Sequence, residues 1–363
     1  MATAVVLKSI SARQSEQVDV FRAICAMLVV SIHVPIQASR IGAHSLYGQW
    51  LAVWHEGIAR LAVPSFFLLS GYFVAKHLDG LTCKSYAALL LKKVKTLLVP
   101  YIVMNIAFWV LVSFCAAVAS GVSGGGRIKA FDFGQIVDAI GLPGVSQPIN
   151  FSLWFLRCLM YFMLLLPAIG CIALRGKKWA MTLTIAGFAV SQSILTGALP
   201  ACGVNWRTGF DIYGFCWFIT GIVLRLYPMN IRVNTRRIYC GLVILTMIVF
   251  ALLRLRFGAG SVLSLFWKYI LLIPVCAYAV WRLSASIEMP ALLKRNTMPI
   301  YLLQIPVYFI FGVAAAKLHI DLSESGIAGY FAMVVAVTMI SVFVAEVARK
   351  YLPNMSAICF GAR

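Results

Sequence analysis

His33 and Arg22 stand 11 residues apart in the run Val-Asp-Val-Phe-Arg-Ala-Ile-Cys-Ala-Met-Leu-Val-Val-Ser-Ile-His, an otherwise apolar stretch. On a helix that spacing puts both on one face, separated by roughly 16 Å along the axis. Asp19 lies one turn before Arg22 and can pair with it. A neutral imidazole, with an ordinary pKa near about 6.5, can take a proton from a hydroxyl at physiological pH. A guanidinium matches phosphate and carboxylate oxygens. The pair therefore fits a base held deep along a helix whose other end grips an anion. A second set follows in His55, Glu56 and Arg60, where Glu56 and Arg60 are spaced to pair. Tyr72, Lys76, Trp154 and Arg157 are further candidates for contact with substrate. Glu346, three residues before Arg349, is a supporting candidate. Each has a plainer reading. His33 can be a hydrogen-bonded core histidine, Arg22 and Arg157 can snorkel to an interface, Trp154 and Tyr72 can pack between helices, and Glu346 can form a surface ion pair. An ionisable group at membrane depth costs about 2.5–3.5 kcal/mol on insertion scales, which is why these positions draw attention first.

The elements that must carry these residues are legible in the composition. The chain has 363 residues, 62% hydrophobic and 12% charged, with a mean hydropathy of +0.93. A soluble domain is about 45–50% apolar and about 25% charged. A soluble enzyme, a disordered chain and a disulfide scaffold are excluded. The predicted fold class is all-α, a polytopic membrane bundle. At about 20 residues per crossing, hydropathy gives ten spans at 18–38, 52–75, 94–118, 151–173, 180–199, 210–227, 237–256, 262–281, 298–316 and 327–348. The apolar run at the start is too long for a signal-peptide core and reads as a retained first helix.

The net charge of +20, from 31 Lys and Arg against 11 Asp and Glu, sets topology rather than nucleic-acid binding. No basic polar segment is interleaved with stacking aromatics. With the N-terminus inside, the cytoplasmic segments hold 20 Lys and Arg. The outer ones hold eight: Arg40, Arg127, Lys129, Arg207, Arg254, Arg256, Lys268 and Lys317. Both termini are thus predicted to be cytoplasmic. The domains are a cytoplasmic segment at 1–17, a membrane domain at 18–348 with an outer loop at 119–150, and a cytoplasmic tail at 349–363. The loop reads equally as a lid or a connector. The ten cysteines form no CxxC pair and read as small buried hydrophobes, with no metal site.

Several runs in order along the chain resemble the acyltransferase-3 family of bacterial integral-membrane acyltransferases. They are Arg22-x10-His33; Arg60-Leu-Ala-Val-Pro-Ser-Phe-Phe-Leu-Leu-Ser-Gly-Tyr-Phe; Lys92-Lys93-Val-Lys-Thr-Leu-Leu-Val-Pro-Tyr; Leu153-Trp-Phe-Leu-Arg; Gly214-Phe-Cys-Trp-Phe-Ile-Thr-Gly221; and Pro299-Ile-Tyr-Leu-Leu-Gln304. Many members carry His where Gln304 stands. No esterase-like domain follows, so the chain is expected to be a stand-alone member.

The resemblance implies a bacterial inner-membrane O-acyltransferase. It would move an acyl group, commonly acetyl, from cytoplasmic acyl-CoA to a hydroxyl of an envelope polysaccharide or its lipid-linked precursor. His33 is then the essential histidine and Arg22 its companion, with Arg60 or Lys76 assisting Arg22 at the CoA phosphates. A thioester is already activated, so no metal is required. His33 would act as general base or carry the acyl group itself. The competing class is an exporter or flippase for a polysaccharide or lipid-linked sugar. The partners implied are the bilayer, acyl-CoA (acetyl-CoA first) and a glycan acceptor. Oligomeric state is not readable.

Overall fold

Ser11 opens the first helix with a capping box. Its hydroxyl accepts from the Gln14 N–H at 3.2 Å while Gln14 Oε1 accepts from the Ser11 N–H at 3.1 Å. The computed structural model describes residues 11–35, 41, 45–118, 140, 147–195, 210–228, 236–258 and 260–361, and these are helical with no strand among them. Segment 1–10, Arg40, His44, most of the loop at 119–150, Cys202, Arg207, Arg232 and residues 362–363 lie outside them.

The helices are α1 (Ala12–Ser31), α2 (Leu46–Trp54), α3 (Ala62–Val74), α4 (Cys83–Lys93), α5 (Val99–Val118), α6 (Trp154–Leu164), α7 (Leu166–Ala173), α8 (Lys177–Leu195), α9 (Ile212–Leu226), α10 (Arg236–Phe257), α11 (Val262–Phe266), α12 (Ile273–Ser284), α13 (Ala291–Arg295), α14 (Thr297–Lys317), α15 (Gly326–Tyr351) and α16 (Pro353–Phe360). Among the described residues six helical segments are long and apolar enough to cross a bilayer: Leu46–His77, Cys83–Ala117, Arg237–Phe257, Val262–Ser284, Thr297–Lys317 and Gly326–Tyr351. A seventh arises if α6 and α7, bent by 56° at their junction, form one span. The predicted spans at 18–38, 180–199 and 210–227 also fall on helices, α1, α8 and α9, which do not reach that standard among the described residues. The carboxylates and guanidinium of Glu16, Asp19 and Arg22 keep α1 below it.

The chain departs from straight helices where proline removes a donor. A π-helical turn at Val94–Leu98 precedes Pro100, and another at Trp267–Leu272 precedes Pro274. The Leu46–His77 segment breaks at His55–Gly57 between α2 and a 3-10 turn at Ile58–Leu61.

α1 is surrounded by α3, α12, α14 and α15. α3 and α9 make the tightest pair, crossing at Gly71 and Gly221. An aromatic core of Phe67, Phe155, Phe162, Phe215 and Phe218 fills the space beside them, with centroids 4.5 Å apart for Phe67–Phe155 and 5.1 Å for Phe67–Phe162. Apolar side chains such as Leu245, Ile248 and Leu252 on α10 and Val335, Met339 and Phe343 on α15 are exposed, as hydrocarbon-facing helices require. Of the described cysteines, Cys25, Cys158, Cys216 and Cys276 are buried, whereas Cys83 and Cys171 are exposed.

Candidate functional site

α1 stops at Ser31, short of the predicted 38. The carbonyls of Val29 to Ile32, at the end of the helix and just past it, where intrahelical donors run out, are each met by a side chain. The Val29 oxygen is 2.9 Å from His33 Nδ1. The Val30 oxygen accepts from the Tyr308 hydroxyl at 3.0 Å, and the Ser31 oxygen from the Tyr330 hydroxyl at 2.6 Å. The Ile32 oxygen is 2.9 Å from His55 Nε2. Ser31 Oγ adds a bond to Tyr330 and accepts from Trp54 Nε1, each at 2.8 Å. Residues from α2, its break, α14 and α15 thus form a collar that ends α1 inside the bundle. Non-helical backbone at membrane depth is tolerated where protein satisfies it in this way.

His33 sits in the turn after the collar, half-buried, with the Phe151 ring edge-on at a centroid distance of 5.3 Å. Its Nδ1 also faces Gln304 Oε1 at 3.3 Å, and Gln304 Nε2 donates to the Tyr301 oxygen at 3.1 Å. Two accepting oxygens against Nδ1 place the ring proton there and leave the lone pair on Nε2. That is the arrangement a general base needs.

Beside the collar lies a charge cluster. Glu56 Oε1 is 3.0 Å from His55 Nδ1 and 3.3 Å from Arg60 Nη2, and Glu56 Oε2 is 3.5 Å from Lys268 Nζ. Lys268 reaches it from the π-helical turn before α12 and is 8% exposed. One carboxylate faces a guanidinium, a lysine amine and an imidazole, so basic groups outnumber acidic ones at the His33 end of α1.

α3 runs antiparallel to α1, because the break before it meets Ile32 while Phe73 at its other end lies under Arg22, 5.9 Å from the guanidinium carbon. Arg22 and Asp19 are 4.0 Å apart. Both line a cavity of about 760 Å³ together with Lys294, Arg295, Glu346 and Arg349, and α16 closes one side with Ser356 and Phe360. Four basic side chains against two acidic ones give this pocket a positive balance. Glu346 organises its wall. It accepts from Arg295 Nε at 3.0 Å and Nη2 at 2.5 Å, from Asn296 Nδ2 at 2.7 Å and from Arg349 Nη1 at 2.6 Å. Lys294 pairs with Glu16. Replacing Glu346 by Ala leaves Arg295 and Arg349 adjacent without their shared carboxylate. The apparent melting temperature of the detergent-purified protein is expected to fall by a few degrees, read by tryptophan fluorescence.

The sequence-derived candidates divide between these two ends of α1. Arg22, Asp19 and Glu346 meet at the cavity. His33, Glu56 and Arg60 meet at the other end, so the expected help of Arg60 to Arg22 at one set of phosphates does not fit the geometry. Lys76 is exposed beyond α3 and does not line the cavity. Tyr72 is engaged by Arg225, whose Nη1 donates to its hydroxyl at 3.1 Å and whose guanidinium lies 5.1 Å from its ring. Trp154 packs against Phe67 at 6.2 Å. Arg157 is buried at 6% exposure, against the Tyr101 hydroxyl, rather than snorkelling. Sequence reasoning did not select Lys268, Tyr308, Tyr330, Lys294 or Arg295 as site residues. Among the described residues no group of His, Cys, Asp and Glu is placed to hold a metal ion.

The family described as an acyltransferase domain, acyltransferase-3, matches residues 15–346. The chain is also 25% identical over 238 residues to the succinoglycan biosynthesis protein ExoH of Rhizobium meliloti (strain 1021), a match covering 62% of this chain and 58% of that protein. No solved structure matches. The family match spans α1, the collar and nearly all of α15, which carries Glu346, and on that extent this chain belongs to the acyltransferase-3 family.

Proposed function

We propose that the protein is a membrane O-acyltransferase that moves an acyl group, acetyl first among the candidates, from cytoplasmic acyl-CoA to a hydroxyl of an envelope polysaccharide or its lipid-linked precursor. The observation that carries this reading is the free Nε2 of His33, set by two oxygens on Nδ1. Family membership and a relative named for succinoglycan biosynthesis support the reaction type and a glycan acceptor. In this scheme α1, α8 and α9 also cross the membrane, which makes ten spans with both termini in the cytoplasm of the bacterial inner membrane.

His33 Nε2 removes the acceptor hydroxyl proton as the oxygen attacks the thioester carbonyl. The tetrahedral oxyanion forms in the field of Arg60 and Lys268, and collapse expels the CoA thiolate, which takes the proton from the imidazolium. The donor phosphates bind in the cavity at Arg22 and Lys294. α1 and α14 both run from that cavity to His33. Pro299 on its wall is only about 7 Å of helical rise from Gln304, so an elongated thioester entering from the cytoplasm has a short way to travel.

Mass spectrometry of surface glycans from cells with and without the protein tests the whole reading. An acyl mass present only with the protein is expected. The purified protein should also consume labelled acetyl-CoA in the presence of such glycan. A protein that exports glycan without consuming the thioester overturns the assignment. For the donor site, Arg22→Gln is expected to raise the KM for acetyl-CoA about tenfold with a smaller change in kcat, and added salt should weaken the wild type in the same direction.

A further inference from the structure

We infer that Gln304 is a positioning residue that holds the His33 ring in the tautomer with its lone pair on Nε2. The inference rests on the reading of His33 as the base. Gln304 has no exposed surface, and it stands on α14 among the buried residues Ile300, Leu302 and Ile305. A primary amide in such a place must have both ends satisfied. Its Nε2 donates to the Tyr301 carbonyl, an oxygen that can only accept. That bond fixes which way the amide faces, and it leaves Oε1 toward His33 Nδ1. An amide oxygen also only accepts, so the proton must be on Nδ1.

The Val29 oxygen makes the same demand from within α1. With both present, the alternative tautomer would set a ring lone pair against two oxygens and lose both hydrogen bonds. Gln304 adds what Val29 cannot. It comes from a different helix, and the first turn of that helix forms the cavity wall through Thr297, Met298 and Pro299. The tautomer of the base is thereby tied to the element that meets the donor. In this role Gln304 resembles the outer partner that orients a catalytic imidazole through its non-reacting nitrogen.

Nitrogen NMR of histidine-labelled full-length protein in nanodiscs reads the tautomer directly. His33→Gln identifies the ring's signals among the five histidines. The wild type is expected to show a protonated Nδ1 and a pyridine-like Nε2. Gln304→Met keeps length and apolar packing but removes the accepting oxygen. It should bring up the Nε2–H form and lower kcat about tenfold for CoA thiol release from acetyl-CoA, with KM unchanged. Gln304→Glu keeps an accepting oxygen and should keep the wild-type tautomer. An Nε2–H ring in the wild type, or a Met variant with unaltered tautomer and kcat, overturns the inference. If His33→Gln itself retains turnover, the base reading fails, while the spectrum still reports whether Gln304 sets the tautomer.

Discussion

His33→Gln is expected to lower the turnover of acyl transfer by about 10²–10⁴-fold, the range that general-base catalysis supplies, at unchanged abundance in the membrane. The variant should keep the fold because His33 carries only one of the four collar carbonyls. Tyr308, Tyr330 and His55 hold the other three. Glutamine can also still donate one N–H where Nδ1 stood. What it lacks is a ring nitrogen with a basic lone pair. The KM for acetyl-CoA should change little, since the donor's phosphates are assigned to the cavity at the other end of α1. Acetyl-CoA consumption by the purified protein, with surface-glycan acylation measured in parallel, checks both quantities. Activity within threefold of wild type would remove His33 from the chemistry. A parallel drop in membrane abundance would instead mean that the ring's contacts with Val29, Gln304 and Phe151 serve the fold.

Asp19, Arg22 and His33 stood out in the sequence because ionisable groups in an apolar run are costly at membrane depth, and the structure sets Asp19 and Arg22 at the cavity and His33 in the turn after α1. The i,i+3 and i,i+4 pairs Asp19–Arg22, Glu56–Arg60 and Glu346–Arg349 were legible from helix geometry alone, and all three form. The spans read from hydropathy all fall on helical segments among the described residues, and six of these, or seven with the bent pair, are long and apolar enough to cross a membrane. The end of α1 did not follow from hydropathy, because Ile32 and Val34 continue the apolar pattern and only tertiary partners stop the helix there. Lys268 counted as an outer-loop cation in a charge tally, although its side chain turns inward to Glu56. Tyr308 and Tyr330 read as ordinary aromatic residues of apolar spans, because a hydroxyl aimed at a carbonyl on another helix leaves no local trace. Gln304 was visible only as a departure from a family pattern, and its contact with His33 spans 271 residues of sequence.

Gly71→Ala and Gly221→Ala are expected to do more damage than any other single methyl added to this bundle. A Cβ at Gly71 would stand 1.9 Å from the Phe218 carbonyl oxygen, and one at Gly221 would stand 1.9 Å from the Leu68 carbonyl oxygen. The contact is reciprocal, each helix seating its glycine against the backbone of the other. Both obstacles are backbone, so no rotamer change relieves them, and α3 and α9 must move apart. Small residues at such crossings let backbones approach closely, where dispersion and weak Cα–H···O contacts hold them without a hydrophobic drive. Separation would open the aromatic core at Phe67, Phe162 and Phe218, which bridges the same two helices and α6. The cost should reach or exceed the upper end of the usual overpacking range, about 3 kcal/mol. Monodisperse protein recovered in detergent should fall severalfold for either variant. The double variant should cost less than the sum of the singles, since helices already separated by the first methyl accommodate the second. Gly312→Ala on α14, where a Cβ meets nothing within 4 Å, is the matched control and should leave yield and melting temperature unchanged or raised. Wild-type yield from Gly71→Ala would mean that α3 and α9 do not cross at this separation. The placement of the break at His55–Gly57, which α3 carries toward His33, would then need to be redrawn.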